Sequence, residues 1–244
     1  MEDLNDISWN FSSYGKQYLD NLLNLAGLEA LQNDKHSEMD IAIKLMGFTN
    51  KAWQHSGVNI PSSPDPISII REAREGSKFR CVEYSIVLQG LLSAAGITSR
   101  VLHLRTEDVE TRASGAGHVV VEAYIHEFGK WVMFDPQMNL YVSSGKTPLN
   151  AMEIKSNIAL NKKLSIHSSN LLLFLLRRFY LKWISKYLSY LVADQVQCYP
   201  SQYPRIQYVL KDSNLKMFTK FQGTDVNEDL IDVPYEKFYP IYNE

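Results

Sequence analysis

Between residues 81 and 135 the hydrophobic pattern changes its period, from one typical of a helix to one typical of strands. From residue 81 onward the apolar side chains recur at helical spacing; the set is Tyr84, Val87, Leu88, Leu91 and Ala95. Gly96 follows, at the place where a helix commonly ends on a residue with positive φ. Because Ile86 and Leu92 lie off this stripe, we expect the helix to be buried on most sides.

Two segments after this helix are predicted to form a β-hairpin. His118–Ile125 and Lys130–Asp135 are rich in β-branched and aromatic residues, and the four residues between them end in Gly129. If the last residue of the first strand pairs with the first residue of the second, His118 and Asp135 share a face of the sheet. Their diagonal separation is then roughly 7 Å, which a carboxylate–imidazole hydrogen bond can span. A register slip of one residue would put the two on opposite faces.

The remaining pattern predicts helices and strands around this unit. Helices are expected before residue 35 and over 40–53, 67–75 and 164–193, and strands over 99–104, 205–210 and 215–221. The polar, glycine-containing residues 106–116 are predicted to form an active-site loop. We therefore expect an N-terminal helical cover (1–39), a core (40–145) and a C-terminal elaboration of helix and strands (146–244), packed as one compact unit.

Basic residues interrupt the apolar stripe of the predicted helix over 164–193. The stripe contains Leu172, Leu175, Leu176, Phe179 and Trp183. We expect it to pack on the core, while the arginines and lysines among it leave binding to a membrane surface or a partner groove open. The consecutive apolar residues 171–176 are too few to span a bilayer.

Composition and charge change this picture little. The chain has 244 residues, 45% of them hydrophobic and 21% charged, with a net charge of −2, which is ordinary for a soluble globular protein. This charge predicts no general affinity for nucleic acid, and the acidic start lacks a secretion signal. Cys81 and Cys198 are too few cysteines for a disulfide framework, so a reducing, cytoplasmic location is expected.

A thiol, an imidazole and a carboxylate follow one another as Cys81, His118 and Asp135, the order of a nucleophile, a base and a group that orients the base. In the first turn of its helix, Cys81 would lie near the positive end of the helix dipole, with Lys78 and Arg80 close by. These features favour the thiolate, the form that attacks a carbonyl carbon. Taken singly, each of the three residues has an ordinary structural explanation. Their order, spacing and shared face favour an active site.

These residues lie in motifs that resemble the transglutaminase-like superfamily, as a stand-alone domain of the bacterial type. Phe79–Ser85 and Leu91–Val101 are similar to the nucleophile helix of that family, Gly117–Ile125 to its histidine strand and Lys130–Pro136 to its aspartate strand. The resemblance covers roughly residues 40–145. It implies an α+β fold with a papain-like core, in which the nucleophile helix packs on an antiparallel sheet.

The resemblance also implies a role for each residue. Cys81 would be the nucleophile, His118 the general base and Asp135 the orienting residue. In this family an upstream side chain assists the backbone N–H of the cysteine in stabilising the oxyanion. Trp53 is the candidate in this chain, with Gln54 as the alternative.

Glu122 and His103 are predicted to lie close behind the three residues. Glu122 shares the face of His118 by parity, and His55 reaches the cleft if Trp53 does. No metal ion or other cofactor is expected. Zinc binds cysteine, histidine and aspartate, but no close ligand pair such as Cys-x-x-Cys accompanies these residues.

The resemblance implies cysteine-dependent acyl transfer, in which a thioester on Cys81 forms from an amide or peptide bond. Hydrolysis, as in a peptidase or amidase, is favoured because nothing in the sequence marks a dedicated amine site or the calcium-binding loops of animal transglutaminases. Transamidation of protein glutamine, and a non-catalytic module that binds peptide or glycan, are the alternatives. The expected partner is a peptide, a protein or another amide-bearing substrate, without nucleic acid or a membrane span.

Overall fold

A large sheet with helices on both faces organises the residues that the computed structural model describes, which are 8–11, 14–28, 36–168, 177–199 and 206–242. The helices are α1 (Lys16–Ala26), α2 (Glu38–Ala52), α3 (Pro66–Arg74), α4 (Cys81–Ala94), α5 (Ala151–Ala159), α6 (Arg177–Ile184) and α7 (Tyr235–Phe238). The strands are β1 (Ser99–Arg105), β2 (Gly117–Ile125), β3 (Lys130–Asp135), β4 (Leu140–Ser144), β5 (Thr147–Pro148), β6 (Ser165–Ser168), β7 (Tyr190–Asp194), β8 (Ile206–Lys211), β9 (Lys220–Phe221), β10 (Thr224–Asp225) and β11 (Asp229–Asp232). Short 3-10 helices cover His126–Phe128 and Ser185–Tyr187.

The strand order in the large sheet is β11, β8, β7, β1, β2, β3, β4 and β5, with β6 paired to β4. Its pairs are antiparallel except for β8 with β11. Helices α1 to α4 share one hydrophobic core with the face of β2 that carries Val119 and Val121. The predicted α+β class, with the Cys81 helix packed on an antiparallel sheet, is therefore confirmed.

The hairpin of β2 and β3 has the predicted register. Ile125 pairs with Lys130, and Val121 pairs with Phe134. Gly129 closes the connection in the left-handed region, with φ of 60°, a conformation that glycine adopts without steric cost. This register keeps the start of β2 and the end of β3 on one face, because side chains alternate along each strand.

Helix α4 is the centre of the helical layer. Every residue from Glu83 to Leu92 is buried, as the apolar residues on most of its sides predict. Gly90 lets the first turn of α3 approach closely, because a Cβ at this position would lie 2.6 Å from Cγ of Pro66. The position of Cys81, the first residue of α4, is therefore fixed by the packing of most of the helix.

The predicted helix over 164–193 is wrong. This region contains β6, then α6 and then β7, and residues 169–176, with the predicted stripe members Leu172, Leu175 and Leu176, lie outside the described residues. Within α6, Phe179 is 72% exposed, whereas Tyr180 and Ile184 are buried. The apolar run of Tyr190–Asp194 is buried because β7 lies between β1 and β8, and periodicity cannot distinguish such a run from a helix.

The C-terminal strands extend the sheet that contains β2. The predicted strand over 205–210 is confirmed as β8, but the prediction for 215–221 is correct only for its last two residues, which form β9. Helices α5, α6 and α7 pack on the face of the sheet opposite to α4. In the described ranges, no helix combines the length and the apolar character that a membrane crossing requires.

A buried ion pair connects the sheet to the C-terminal segment. The guanidinium of Arg100 donates to Oε2 of Glu122 at 2.7 Å and to the backbone oxygen of Phe238, and both charged side chains are 0% exposed. The other carboxylate oxygen of Glu122 accepts from the backbone N–H of Ala151 at 2.9 Å and from the hydroxyl of Tyr239 at 3.0 Å. One carboxylate therefore joins β1, β2, the first residue of α5 and the end of α7.

Replacing Glu122 with Gln should destabilise the protein strongly, because the guanidinium of Arg100 would stay buried without its counter-charge. We expect a loss of about 3–5 kcal/mol in the free energy of unfolding, measured by urea titration. Glu127→Gln, at an exposed position, is the control and should change the free energy by less than about 0.5 kcal/mol. Equal midpoints for the two variants would contradict a structural role for the ion pair.

Candidate active site

Three elements bring Cys81, His118 and Asp135 together. Cys81 is the first residue of α4, His118 is the second residue of β2 and Asp135 is the last residue of β3. Cys81 is partly exposed, whereas the side chains of His118 and Asp135 are 4% and 0% exposed. A partly exposed cysteine therefore lies next to a buried imidazole–carboxylate pair.

The hydrogen bonds assign the two nitrogens of the imidazole. Nε2 of His118 lies 2.9 Å from Oδ2 of Asp135, which is a normal hydrogen-bond distance. The side chain of Cys81 lies close enough to His118 to help raise the pKa of the imidazole. Because the carboxylate already occupies Nε2, Nδ1 is the nitrogen left to interact with the thiol.

The surroundings of His118 favour its protonated form. Burial alone would lower the pKa of His118, but the charge of Asp135, its hydrogen bond and the contact with Cys81 outweigh burial and raise the pKa to about 10. These interactions favour the imidazolium, which can donate hydrogen bonds from both nitrogens.

The carboxylate of Asp135 accepts hydrogen bonds from three donors. Besides His118, the hydroxyl of Tyr180 donates to Oδ2 at 3.1 Å, and the backbone N–H of Met138 donates to Oδ1 at 3.1 Å. Burial and then the charge of Asp135 raise the pKa of Tyr180 well above its usual value, so the phenol stays protonated and remains a donor. These three bonds provide hydrogen-bond partners for the fully buried carboxylate, which would otherwise be costly to bury.

Aromatic side chains from the C-terminal part cover His118. The ring of Trp183 meets the imidazole edge to face, with centroids 4.8 Å apart, and the ring of Tyr187 lies at 6.2 Å. The sequence placed Trp183 in a core-packing stripe and did not connect Tyr180 or Tyr187 with the site. Their spacing of three and four residues was a signal that they share a helix face. Spacing does not say what that face contacts.

A fixed positive charge lies beside the sulfur. Arg80, directly before Cys81, donates to the buried carboxylate of Glu83 at 2.6 Å, and the hydrogen bond to Glu83 is the main reason that the pKa of Arg80 is raised. The neighbouring Cys81 side chain acts on the pKa of Arg80 in the same direction. Lys78, the other basic residue predicted nearby, donates to Oε1 of Gln54 at 2.8 Å.

The two candidates for the oxyanion site have different surroundings. Trp53 is buried against Phe79 and Tyr84, two residues that flank Cys81 in the sequence. Its indole Nε1 is buried and has no hydrogen-bond partner among the described residues. Gln54 is exposed, and its side-chain oxygen accepts the lysine hydrogen bond. A buried N–H normally has an acceptor, so this indole N–H is a donor that is not yet used by the described residues.

The structure does not bring Glu122 or His103 to the imidazole. Glu122 lies four residues along β2 from His118, roughly 13 Å at strand spacing, and binds the buried arginine instead. His103 pairs with Val119, so its side chain points to the opposite face of the sheet from His118. His55 does lie near the site, because it forms a β-bridge with Phe79, two residues before Cys81. Burial and then the charge of His118 lower the pKa of His55.

The arrangement has the groups that nucleophilic and acid–base chemistry requires. Nδ1 of His118 can exchange a proton with the sulfur or with a leaving group, while Asp135 keeps the ring in one orientation. In the described part of the chain, no group of three or more His, Cys, Asp or Glu side chains is arranged to hold a metal ion.

Residues 28–136 of the chain match the model of the family described as the transglutaminase-like superfamily. A comparison with curated proteins finds no match. Among solved structures, similar chains include a candidate cysteine protease from Cytophaga hutchinsonii (18% identity, 49% of this chain and 37% of that chain, TM-score 0.35). A second is a candidate protease from Parabacteroides distasonis (18% identity, 50% of this chain and 26% of that chain, TM-score 0.35). A third is the periplasmic domain of TgpA from Pseudomonas aeruginosa bound to ethylmercury (20% identity, 52% of this chain and 46% of that chain, TM-score 0.37).

This chain spans less than half the length of each of these structures. The family match covers the elements from α2 to β3 and so contains Cys81, His118 and Asp135. Over residues 28–136 the chain is therefore similar to the transglutaminase-like superfamily.

Proposed function

We propose that this protein is a cysteine-dependent enzyme that hydrolyses an amide or peptide bond through a thioester on Cys81. The observation that carries the proposal is the 2.9 Å hydrogen bond between His118 and Asp135, with the side chain of Cys81 close enough to act on the pKa of the same imidazole. The similarity to the transglutaminase-like superfamily supports the same chemistry. The substrate is a peptide, a protein or another molecule with an accessible amide.

In the proposed reaction the protonated ring of His118 acts first as an acid. The thiolate of Cys81 attacks the carbonyl carbon, and Nδ1–H of His118 gives its proton to the departing amine as the C–N bond breaks. The neutral imidazole then accepts a proton from water, which attacks the thioester. The carboxylic acid leaves, and the thiolate and imidazolium are restored. If an amine replaces water in the second step, the same site performs transamidation.

The oxyanion of each tetrahedral intermediate needs donors beside Cys81. We propose the indole N–H of Trp53 and the backbone N–H of Cys81. The first is buried without a partner among the described residues, and the second belongs to the first turn of α4, where backbone N–H groups lack helical acceptors. Donors aimed at this oxygen stabilise the charge that develops in the transition state.

Cys81→Ala should abolish turnover of any amide substrate, with a loss of kcat of at least about 10³-fold. In the wild type, iodoacetamide should modify Cys81 before Cys198, which mass spectrometry of the labelled peptides can measure. Cys198→Ala is the matched control and should keep both the labelling and the activity. Turnover by Cys81→Ala would refute the proposal. Products formed with and without an added amine distinguish hydrolysis from transamidation.

Trp53→Phe should lower kcat by about 10²–10³-fold with little change in KM, because the variant keeps the aromatic packing and loses one donor to the oxyanion. Gln54→Ala is the neighbouring control and should change neither constant, since Gln54 is exposed and bound to Lys78. Steady-state kinetics of the two variants tests the assignment. A larger effect at Gln54 than at Trp53 would reverse it.

Asp135→Asn should bring the pKa of His118 well below its wild-type value of about 10, because burial then acts without the opposing charge. Folding raises this pKa, so the stability it contributes is complete below pH about 6.5 and is lost as the pH rises through about 10. Urea unfolding between pH 6 and pH 10.5, with NMR titration of the imidazole, should show this decline in the wild type only. A decline of the same size in Asp135→Asn would contradict the ion pair.

A further inference from the structure

Tyr180 reaches the proposed triad from outside the family core. It lies on α6, more than forty residues after the end of the matched segment, yet its hydroxyl donates to Oδ2 of Asp135 at 3.1 Å. Oδ2 is also the oxygen that accepts from Nε2 of His118. Tyr180 is 5% exposed, so water does not easily replace its hydroxyl.

We propose that Tyr180 is a positioning residue for this enzyme: its hydroxyl fixes the orientation of the Asp135 carboxylate and shares the negative charge of Oδ2 with the imidazole of His118. The inference rests on the proposed function in one respect only, that the triad is catalytic. The effect of Tyr180 on the orientation of Asp135 and on the pKa of His118 can be measured without any enzymatic activity.

The first part of the argument is geometric. A carboxylate at the end of β3 can rotate about its Cβ–Cγ bond, and a single donor from His118 does not determine that angle. The backbone N–H of Met138 holds Oδ1 and the hydroxyl of Tyr180 holds Oδ2, so the plane of the carboxylate is determined by two donors besides His118. The imidazole therefore meets an acceptor that is already oriented.

The second part concerns charge. When His118 is protonated, the carboxylate is neutralised by the ion pair, and the Tyr180 hydroxyl adds comparatively little. When His118 loses its proton to the reaction, the buried carboxylate keeps its full charge, and the hydroxyl then stabilises it more strongly. Tyr180 therefore favours the deprotonated imidazole and makes His118 a better proton donor than a lone carboxylate partner would.

The other groups that face His118 affect its protonation in a different way from Tyr180. Cys81 on α4 and Asp135 on β3 favour the protonated ring, and His55, on the segment before α3, is a nearby cationic or neutral imidazole. Tyr187 lies in the 3-10 helix after α6, with its ring centroid 6.2 Å from the imidazole. Of these groups, Tyr180 is the one whose hydroxyl bonds to the oxygen that His118 uses.

The test compares Tyr180→Phe with Tyr190→Phe. Tyr190 is a matched control because it is also buried in the C-terminal part and its hydroxyl donates to the backbone oxygen of Lys216 at 2.9 Å. We expect Tyr180→Phe to raise the pKa of His118, measured by NMR titration of the imidazole, and to lower kcat about 10- to 100-fold at unchanged KM. Tyr190→Phe should change neither quantity.

A purely structural role predicts the opposite sign, because a loosened site would let the pKa of His118 return towards its ordinary value. An unchanged or lowered pKa in Tyr180→Phe would therefore overturn the proposal. Site-specific 3-fluorotyrosine at position 180, a stronger donor of nearly the same shape, should lower the pKa of His118 and answers the question if the Phe variant does not fold.

A double-mutant cycle shows whether Tyr180 acts through Asp135. In an Asp135→Asn background, Tyr180→Phe should have no further effect on the pKa of His118, whereas an additive effect would refute the mechanism. The titrations need no substrate. A wild-type protein without amidase activity would thus refute the proposed function, while the sign of the pKa change would still decide the role of Tyr180.

Discussion

A fully buried carboxylate is the constraint on which the candidate site depends. Burial of an unpaired carboxylate is very costly, so Asp135 requires donors in fixed positions. His118, Met138 and Tyr180 provide them from β2, from the turn after β3 and from α6. The register of the hairpin, the course of the chain after β3 and the docking of α6 must all be correct at once for this carboxylate to keep its three donors.

A second buried carboxylate in the fold also requires donors in fixed positions. Glu122, on the same strand as His118, is also fully buried and accepts hydrogen bonds from Arg100, Ala151 and Tyr239. The two carboxylates connect the family core to the segment that follows it, one through α6 and the other through α5 and α7. The C-terminal residues therefore contribute to the structure of the site, and β7 and β8 extend the same sheet.

The electrostatics of the site follow from which groups are buried. His118 is enclosed between Asp135, Cys81 and the ring of Trp183, and the charged partners outweigh the effect of burial on its pKa. Cys81 itself is partly exposed in the first turn of α4, beside an arginine that forms an ion pair with Glu83. A partly exposed thiol next to a buried imidazole–carboxylate pair suits a proposed nucleophile and its acid–base partner.

Much of the site could be predicted from local pattern. The period-two segments and Gly129 determined the hairpin register, and that register determines which side of the sheet His118 and Asp135 share. The helical period and the start at Cys81 likewise predicted α4. The register did not show that Glu122, on the same face, is too far along β2 to meet His118, or that His103 faces away.

The order of thiol, imidazole and carboxylate, and the α+β class, were thus determined by the sequence itself, because strand and helix periods are local properties of the chain. Only the tertiary structure decided that α6 covers His118, that Tyr180 bonds to Asp135 and that residues 190–194 form a central strand. A helical or apolar pattern predicts which side chains share a buried face. Which segment packs on that face depends on contacts between parts of the chain that are far apart in sequence, and local spacing contains no information about those contacts.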